Sequence, residues 1–120
     1  MTTPDFLDLL HKLDDKRIDV MEKKRHDYAT EDALSNFKRM ATICSTLKVD
    51  VKTPFGAAMF LMLLKIDRWN NLVSSCKSPK NESVEDTVMD LHNYIDLAHA
   101  IYVETKAADD KLDGVCRKNK

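Results

Sequence analysis

Apolar side chains recur at intervals of three and four residues along most of this chain, which is the period of an amphipathic α-helix. The predicted inward positions are Phe6, Leu9, Leu10, Leu13, Val20 and Met21 in a first segment; Ala33, Phe37, Met40, Cys44 and Leu47 in a second; and Val84, Val88, Leu91, Ile95, Ala98 and Tyr102 in a fourth. The third segment opens with the run FGAAMFLMLL, which is apolar on nearly every side. Such a run predicts a helix at the centre of a bundle or in a subunit interface.

Capping residues mark where each predicted helix begins. The expected N-caps are Thr3, Thr30, Thr53 and Ser83, and the first and third of these precede a proline that fits the first helical turn. Ser83 with Asp86 three positions later has the spacing of a capping box. The first helix is predicted to end near residue 27, the third to span Phe55 to about Val73, and the fourth to reach about residue 106.

The composition supports a single helical domain. The chain has 120 residues with only two glycines and three prolines, and 43% of its residues are apolar, which is enough for one modest core. We therefore predict an all-α bundle of four to five helices over residues 1–113, followed by a frayed tail at 114–120. A homo-oligomer is expected because the third helix has more apolar surface than one small bundle needs.

Charge and cysteine content argue against several classes of protein. The 19 basic and 20 acidic residues give a net charge of -1, whereas a protein that binds extended nucleic acid is usually strongly basic. Neither a secretory signal nor an apolar run long enough to span a bilayer is present, so a cytoplasmic protein without a membrane partner is expected. Cys44, Cys76 and Cys116 form no CxxC pair, so neither a zinc knuckle nor a redox motif is predicted.

The start of the fourth helix carries a row of acids. Glu82, Asp86 and Asp90 follow one another at intervals of four, and Asn93 continues the row, so a helix places them on one side. Carboxylates one turn apart are able to share Mg²⁺, which prefers oxygen ligands. The alternative is a solvated helix face, on which Asp86 only caps the helix and the acids favour its positive end.

A cationic pair ends the apolar run of the third helix. Lys65 follows ten residues without a charge, and Arg68 lies three positions further on. Both side chains are suited to hold phosphate oxygens, and arginine is able to bind in a bidentate way. The alternative is that they pair with the acids of the fourth helix. Asp67 lies between them and adds a carboxylate to the same place.

Asp27, Tyr28 and Asn36 complete the set of candidate ligand-binding residues. Asp27 and Tyr28 lie at the end of the first helix, where the tyrosine is placed to stack and the aspartate to orient a neighbour. Asn36 lies at the edge of the apolar stripe, where its amide is placed either to read a base edge or to bind a nearby loop backbone. The basic run before Asp27, residues 23–26, is interpreted as a solvated face.

Four fragments, in this order, resemble one known family. They are HDYA at residues 26–29, NFKRMA at 36–41, TPFGAAMFLMLLKIDRW at 53–69 and ESVEDTVMDLHNYIDLA at 82–98. Over roughly residues 20–103 the chain resembles the phage and prophage nucleotide-modification-associated domain. That family is similar to the all-α NTP pyrophosphatases of the MazG and dimeric dUTPase type, in which a four-helix core binds Mg²⁺ through an ExxE motif on one helix and an ExxD motif on another.

The resemblance implies a nucleotide as the ligand. The roles it implies are an acidic, metal-binding row at Glu82, Asp86 and Asp90; a phosphate side at Lys65 and Arg68; and a surrounding pocket at Asp27, Tyr28, Asn36 and Asn93. The third helix departs from the pattern because Lys65 and Arg68 stand where the acids of ExxE are expected, and positive charge there opposes a second Mg²⁺.

We therefore expect a phage-type protein that binds or sequesters a nucleotide or a nucleotide-derived signal, in an anti-defence role. One alternative is a Mg-dependent nucleotide pyrophosphatase. The other is a helical protein-interaction module without a small-molecule site.

Overall fold

The structure, a computed structural model, describes the backbone of residues 1–118 and the side chains of residues 1–112. It contains four α-helices: α1 (Thr3–Tyr28), α2 (Ser35–Leu47), α3 (Pro54–Ser74) and α4 (Val84–Lys118). No strand occurs in the described residues. The predicted all-α class is therefore confirmed, with four helices, while the homo-oligomer stays a prediction.

Two of the four predicted caps are confirmed. The Thr53 hydroxyl accepts a hydrogen bond from the Gly56 amide at 3.0 Å, and the Ser83 hydroxyl accepts one from the Asp86 amide at 3.0 Å. Each bond satisfies an N–H group that the start of a helix leaves without a backbone partner. These caps set the residues at which α3 and α4 begin, and therefore which of their side chains point toward the other helices.

The other two predicted caps are wrong. α1 is capped by Thr2, whose hydroxyl accepts a hydrogen bond from the Asp5 amide at 3.3 Å, so the helix begins one residue earlier than predicted. α2 begins at Ser35 and has no side-chain cap. Thr30 lies in the preceding loop, where its amide donates to the Ser35 hydroxyl at 2.9 Å. The loop therefore uses polar groups that were expected in a first helical turn.

α3 lies at the centre of the fold, as its apolar sequence predicts, and α1, α2 and α4 each pack against it. The buried apolar side chains are Ala29, Met40, Ala58, Leu72 and Ala98. The buried polar and charged side chains are Asp27, Ser35, Asn36, Asp67, Arg68, Asn71 and Thr87. Among the described side chains the interior is thus as much a polar network as an apolar core.

Some predicted inward positions face solvent instead. On α2, Met40 is buried, whereas Phe37 is 60% exposed. On α4, Ala98 is buried, whereas Ile95 is exposed and the polar Thr87 is fully buried. α4 is therefore rotated toward its polar side relative to the predicted orientation, and α2 presents an aromatic ring outward.

α4 is also longer than the sequence pattern indicates. The helix passes residue 106 and Gly114 and continues to Lys118. The predicted frayed tail, 114–120, includes residues 119 and 120, which lie outside the described residues.

The chain is elongated. Its radius of gyration is 20.8 Å and its extents are 73 × 44 × 25 Å, whereas a compact domain of this length has a radius of gyration of about 14 Å. Two helices extend from the bundle: every residue from 3 to 24 of α1 is exposed, and so is every residue from 102 to 112 of the 35-residue α4. None of the helices in the described part of the chain has both the length and the hydropathy needed to cross a lipid bilayer.

Candidate functional site

Arg68, on α3, is the centre of the buried polar network. Its side chain is fully buried and donates hydrogen bonds to the Asp27 carboxylate, the Glu82 backbone carbonyl and, at 2.5 Å, the Thr87 hydroxyl. These bonds join the end of α1 and the start of α4 to α3. The guanidinium lies in the interior of the bundle, where it positions groups from α1 and from the start of α4. It does not lie on a surface that a phosphate reaches.

Asp27, near the end of α1, is the anionic partner of Arg68. Its carboxylate also accepts hydrogen bonds from the backbone amides of Lys80 at 2.8 Å and Asn81 at 2.9 Å. Burial raises the pKa of Asp27, but these amides and the Arg68 guanidinium outweigh burial and hold the pKa below its ordinary value. Asp27 is therefore ionised at neutral pH, and it fixes the loop before α4 against α1.

Lys65, one turn before Arg68, is held between two acids. Its ammonium donates to the Glu82 carboxylate at 2.7 Å and lies 3.0 Å from the Asp90 carboxylate. Burial lowers the pKa of Lys65, but the two carboxylates outweigh burial and raise the pKa well above its ordinary value. The ammonium is therefore charged at neutral pH. The interpretation in which Lys65 pairs with the acids of the fourth helix is confirmed.

A cavity of about 550 Å³ lies in front of this network, between α1, α2, α3 and the loop before α4. Its wall contains the cations Lys24, Arg25 and Lys65, the aromatic rings of Tyr28 and Phe37, and the amides of Asn36 and Asn81. The acid Glu82 and the apolar side chains of Met21, Leu34 and Leu64 complete the wall. The cavity therefore gathers the predicted ligand-binding residues Tyr28, Asn36 and Lys65 together with the predicted metal ligand Glu82.

Arg25 is a member of the wall that the sequence interpretation missed. Its guanidinium donates to the Ala33 carbonyl at 2.7 Å and to the Asn36 side-chain oxygen at 2.6 Å. The guanidinium carbon lies 5.3 Å from the centroid of the Phe37 ring, which is within the range of a cation–π contact. The spacing of Arg25 was a usable signal, because a helix places it beside Tyr28 three positions later.

Tyr28 and Asn36 form the inner part of the wall. The Tyr28 ring is half-buried, and its centroid lies 5.8 Å from the guanidinium carbon of Arg68. Burial raises the pKa of Tyr28, and although the Lys65 ammonium opposes this, the pKa stays above its ordinary value. The phenol is therefore neutral and able to donate a hydrogen bond. Asn36 is 2% exposed, so its amide is fixed in place by the surrounding side chains.

A second ion pair, between Arg39 and Asp67, holds the C-terminal end of α1 on the bundle. The Arg39 guanidinium donates to the two carboxylate oxygens of Asp67 at 2.7 and 3.0 Å and to the Tyr28 backbone carbonyl at 3.0 Å. Asn71, one turn after Asp67, donates to the Asp27 backbone carbonyl at 3.0 Å. Asp67 therefore does not join the acids near Lys65, but it keeps Tyr28 at the wall of the cavity.

The predicted acidic row is divided by the structure. Asp86 and Asn93 are exposed and do not line the cavity, whereas Glu82 and Asp90 bind Lys65. Among the side chains of residues 1–112, no group of three or more His, Cys, Asp or Glu residues is arranged to hold a metal ion. The side chains as arranged do not fit Mg²⁺, because a fixed ammonium occupies the position between the two acids.

Comparison of this chain with protein-family models, with curated proteins and with solved structures gives no match. The cavity and the side chains that line it are therefore the basis for inferring a function.

Proposed function

We propose that this protein binds a nucleotide or a nucleotide-derived small molecule in the cavity beside Lys65. The observation that carries the proposal is the presence of cations, aromatic rings and amides in one cavity of about 550 Å³. Small-molecule sites typically have volumes of about 300–1,000 Å³ and combine apolar walls with a few polar groups. A nucleotide needs these three kinds of contact, for its phosphates, the face of its base and the edge of its base.

Each part of a nucleotide has a matching group in the wall. The Lys24 and Arg25 side chains, with the Lys65 ammonium, supply positive charge for phosphate oxygens. The Phe37 ring is exposed and the Tyr28 ring is half-buried, so both offer faces on which a base is able to stack. The side-chain amide of Asn36 is suited to the hydrogen-bonding edge of a base.

We propose capture of the ligand rather than hydrolysis. The acids that a metal-dependent enzyme needs are already engaged here, because Glu82 and Asp90 both bind the Lys65 ammonium. A lysine gives the phosphate a permanent counter-charge, yet it does not activate water as a metal ion does. Together with the resemblance to a phage nucleotide-modification-associated domain, this charge arrangement supports sequestration of a nucleotide signal as an anti-defence function.

Calorimetric titration with mono-, di-, tri- and cyclic nucleotides tests this proposal. We expect saturable binding in EDTA, with an affinity that Mg²⁺ changes by less than about tenfold, and recovery of the intact ligand by chromatography. Mass spectrometry of small molecules released on denaturing the purified protein identifies which nucleotide is bound. Binding that requires Mg²⁺ and ends in release of pyrophosphate would contradict capture and support the alternative of a pyrophosphatase.

Phe37→Ala distinguishes binding in this cavity from binding elsewhere. Because base stacking on an aromatic ring contributes about 1–3 kcal/mol, we expect the variant to bind the nucleotide roughly 10- to 100-fold more weakly. Phe55→Ala is the matched control, since Phe55 is also exposed but does not line the cavity. Equal affinities of the two variants would place the nucleotide outside the proposed cavity.

A protein-interaction module remains the second candidate function, because large apolar side chains are exposed on all four helices. It requires no small-molecule ligand. Under this alternative no nucleotide raises the thermal unfolding temperature, whereas the proposed function predicts a rise that grows with ligand concentration.

A further inference from the structure

The exposed part of α1 carries an apolar stripe that no other part of the described chain covers. The stripe consists of Phe6, Leu9, Leu10, Leu13, Val20 and Met21, each at least 39% exposed. Helical spacing places it on the same side of α1 as Asp27 and Tyr28, which pack against α3. The inward face of α1 therefore continues for about five turns beyond the body of its own subunit.

The charges of α1 are distributed so that the helix complements itself. Residues 3–15 contain four acids and one lysine, whereas residues 16–28 contain five lysines or arginines and three acids. The N-terminal half is thus negative and the C-terminal half positive. Two parallel copies would bring like charges together, whereas two antiparallel copies place the acidic half of each beside the basic half of the other.

The size of the stripe also suits a second copy of the same helix. Its six side chains are 39% to 54% exposed and supply a large part of the surface that a stable interface buries on each partner, which is at least ~600 Å². The alkyl chains of Lys16, Arg17 and Lys24 supply the rest, because they line a shallow groove of about 390 Å³ together with Leu13 and Val20.

We propose that two copies of this chain pair through α1 in an antiparallel arrangement, with the two-fold axis near Leu13. Phe6 of each copy then packs beside Val20 of the other, and Leu13 packs against its own symmetry mate, as a two-fold interface requires. The first turn of each α1 lies beside Lys24 of the other copy. Since Lys24 lines the nucleotide cavity, the second copy reaches the mouth of that cavity. The pairing itself does not depend on the proposed ligand.

Light scattering coupled to size-exclusion chromatography tests the pairing. We expect the wild-type chain to have twice its mass of 13.8 kDa, and Leu13→Asp to have the mass of a single chain while its circular dichroism stays helical. Ile18→Asp is the matched control, because Ile18 is 59% exposed but lies on another side of α1, and it should remain paired. A wild-type chain of single mass overturns the proposal, whether α1 then binds lipid vesicles or another protein. A paired Leu13→Asp variant overturns it equally.

Disulfide trapping tests the antiparallel direction, in a background that carries Cys44→Ser, Cys76→Ser and Cys116→Ser. Leu13→Cys should form a covalent dimer under mild oxidation, because position 13 meets its symmetry mate. Phe6→Cys should not, because the two copies of position 6 lie at opposite ends of the interface. Efficient trapping of both variants would indicate a parallel pair, and trapping of neither would exclude α1 as the interface.

Discussion

Arg68→Met is expected to destabilise the folded protein by about 3–5 kcal/mol, which is a large share of the stability of a domain of this size. The substitution introduces an unbranched apolar side chain of similar length, but it leaves the Asp27 carboxylate buried without its positive partner. It also removes the bonds from Arg68 to the Glu82 carbonyl and the Thr87 hydroxyl. Urea denaturation, followed by circular dichroism, measures the loss.

Lys106→Met is the matched control for this experiment. Lys106 also pairs with an aspartate, Asp110, but the two side chains are 59% and 61% exposed. Water screens that pair, so its loss should change the free energy of unfolding by less than about 1 kcal/mol. If Arg68→Met costs no more than the control, the buried network does not hold α1 and α4 to α3. Asp27→Asn, which keeps one acceptor oxygen, replaces the other with an NH2 donor and removes the charge, should lie between the two.

The approximate position of each helix is predictable from the sequence, because caps and apolar runs depend on residues that are close together in the chain. Thr53 followed by Pro54 marked the start of α3, and the apolar run after it marked the helix on which the others pack. Thr30 was misleading, because a threonine before acids also suits a loop. Here the loop bond from Thr30 to Ser35 competes with a helical cap.

Which side chains point inward was harder to predict, because an interior built from polar groups produces no hydrophobic periodicity in the sequence. Thr87 is fully buried since it binds Arg68 and Glu82, and this turns α4 so that Ile95 is exposed. Phe37 occupies a regular position in the stripe of α2, yet it lines a cavity instead of a core. Hydrophobic periodicity finds the helices but does not separate an aromatic ring in a core from one in a binding site.

Within the candidate site, contacts between distant residues were the least predictable. Asp27 and Arg68 are 41 positions apart, and nothing in the spacing of either indicates the other. The pairing of Lys65 with acids of the fourth helix was predictable as an alternative, because only a loop separates the two helices. The sequence could not rank that alternative against a phosphate contact, since both use the same charge.

Lys65→Ala is expected to weaken nucleotide binding by about 100-fold or more. A charge-assisted hydrogen bond to a phosphate contributes about 1.5–3 kcal/mol, and the loss of Lys65 also leaves the negative charges of Glu82 and Asp90 without the ammonium between them, beside the phosphate. Calorimetric titration measures the affinity, and circular dichroism checks that the variant is folded. Lys12→Ala, on the exposed part of α1, is the control and should bind like the wild-type chain.

The triple variant Lys65→Ala, Glu82→Gln, Asp90→Asn separates the two causes of this loss. If Lys65 mainly neutralises the acids, removing their charges restores most of the affinity, because no repulsion remains. If the ammonium itself holds the phosphate, the triple variant stays as weak as Lys65→Ala, since the donor is still missing. Unchanged affinity in the single variant would instead move the phosphate away from α3, toward Lys24 and Arg25. The Lys65 ammonium would then serve only to join α3 to α4.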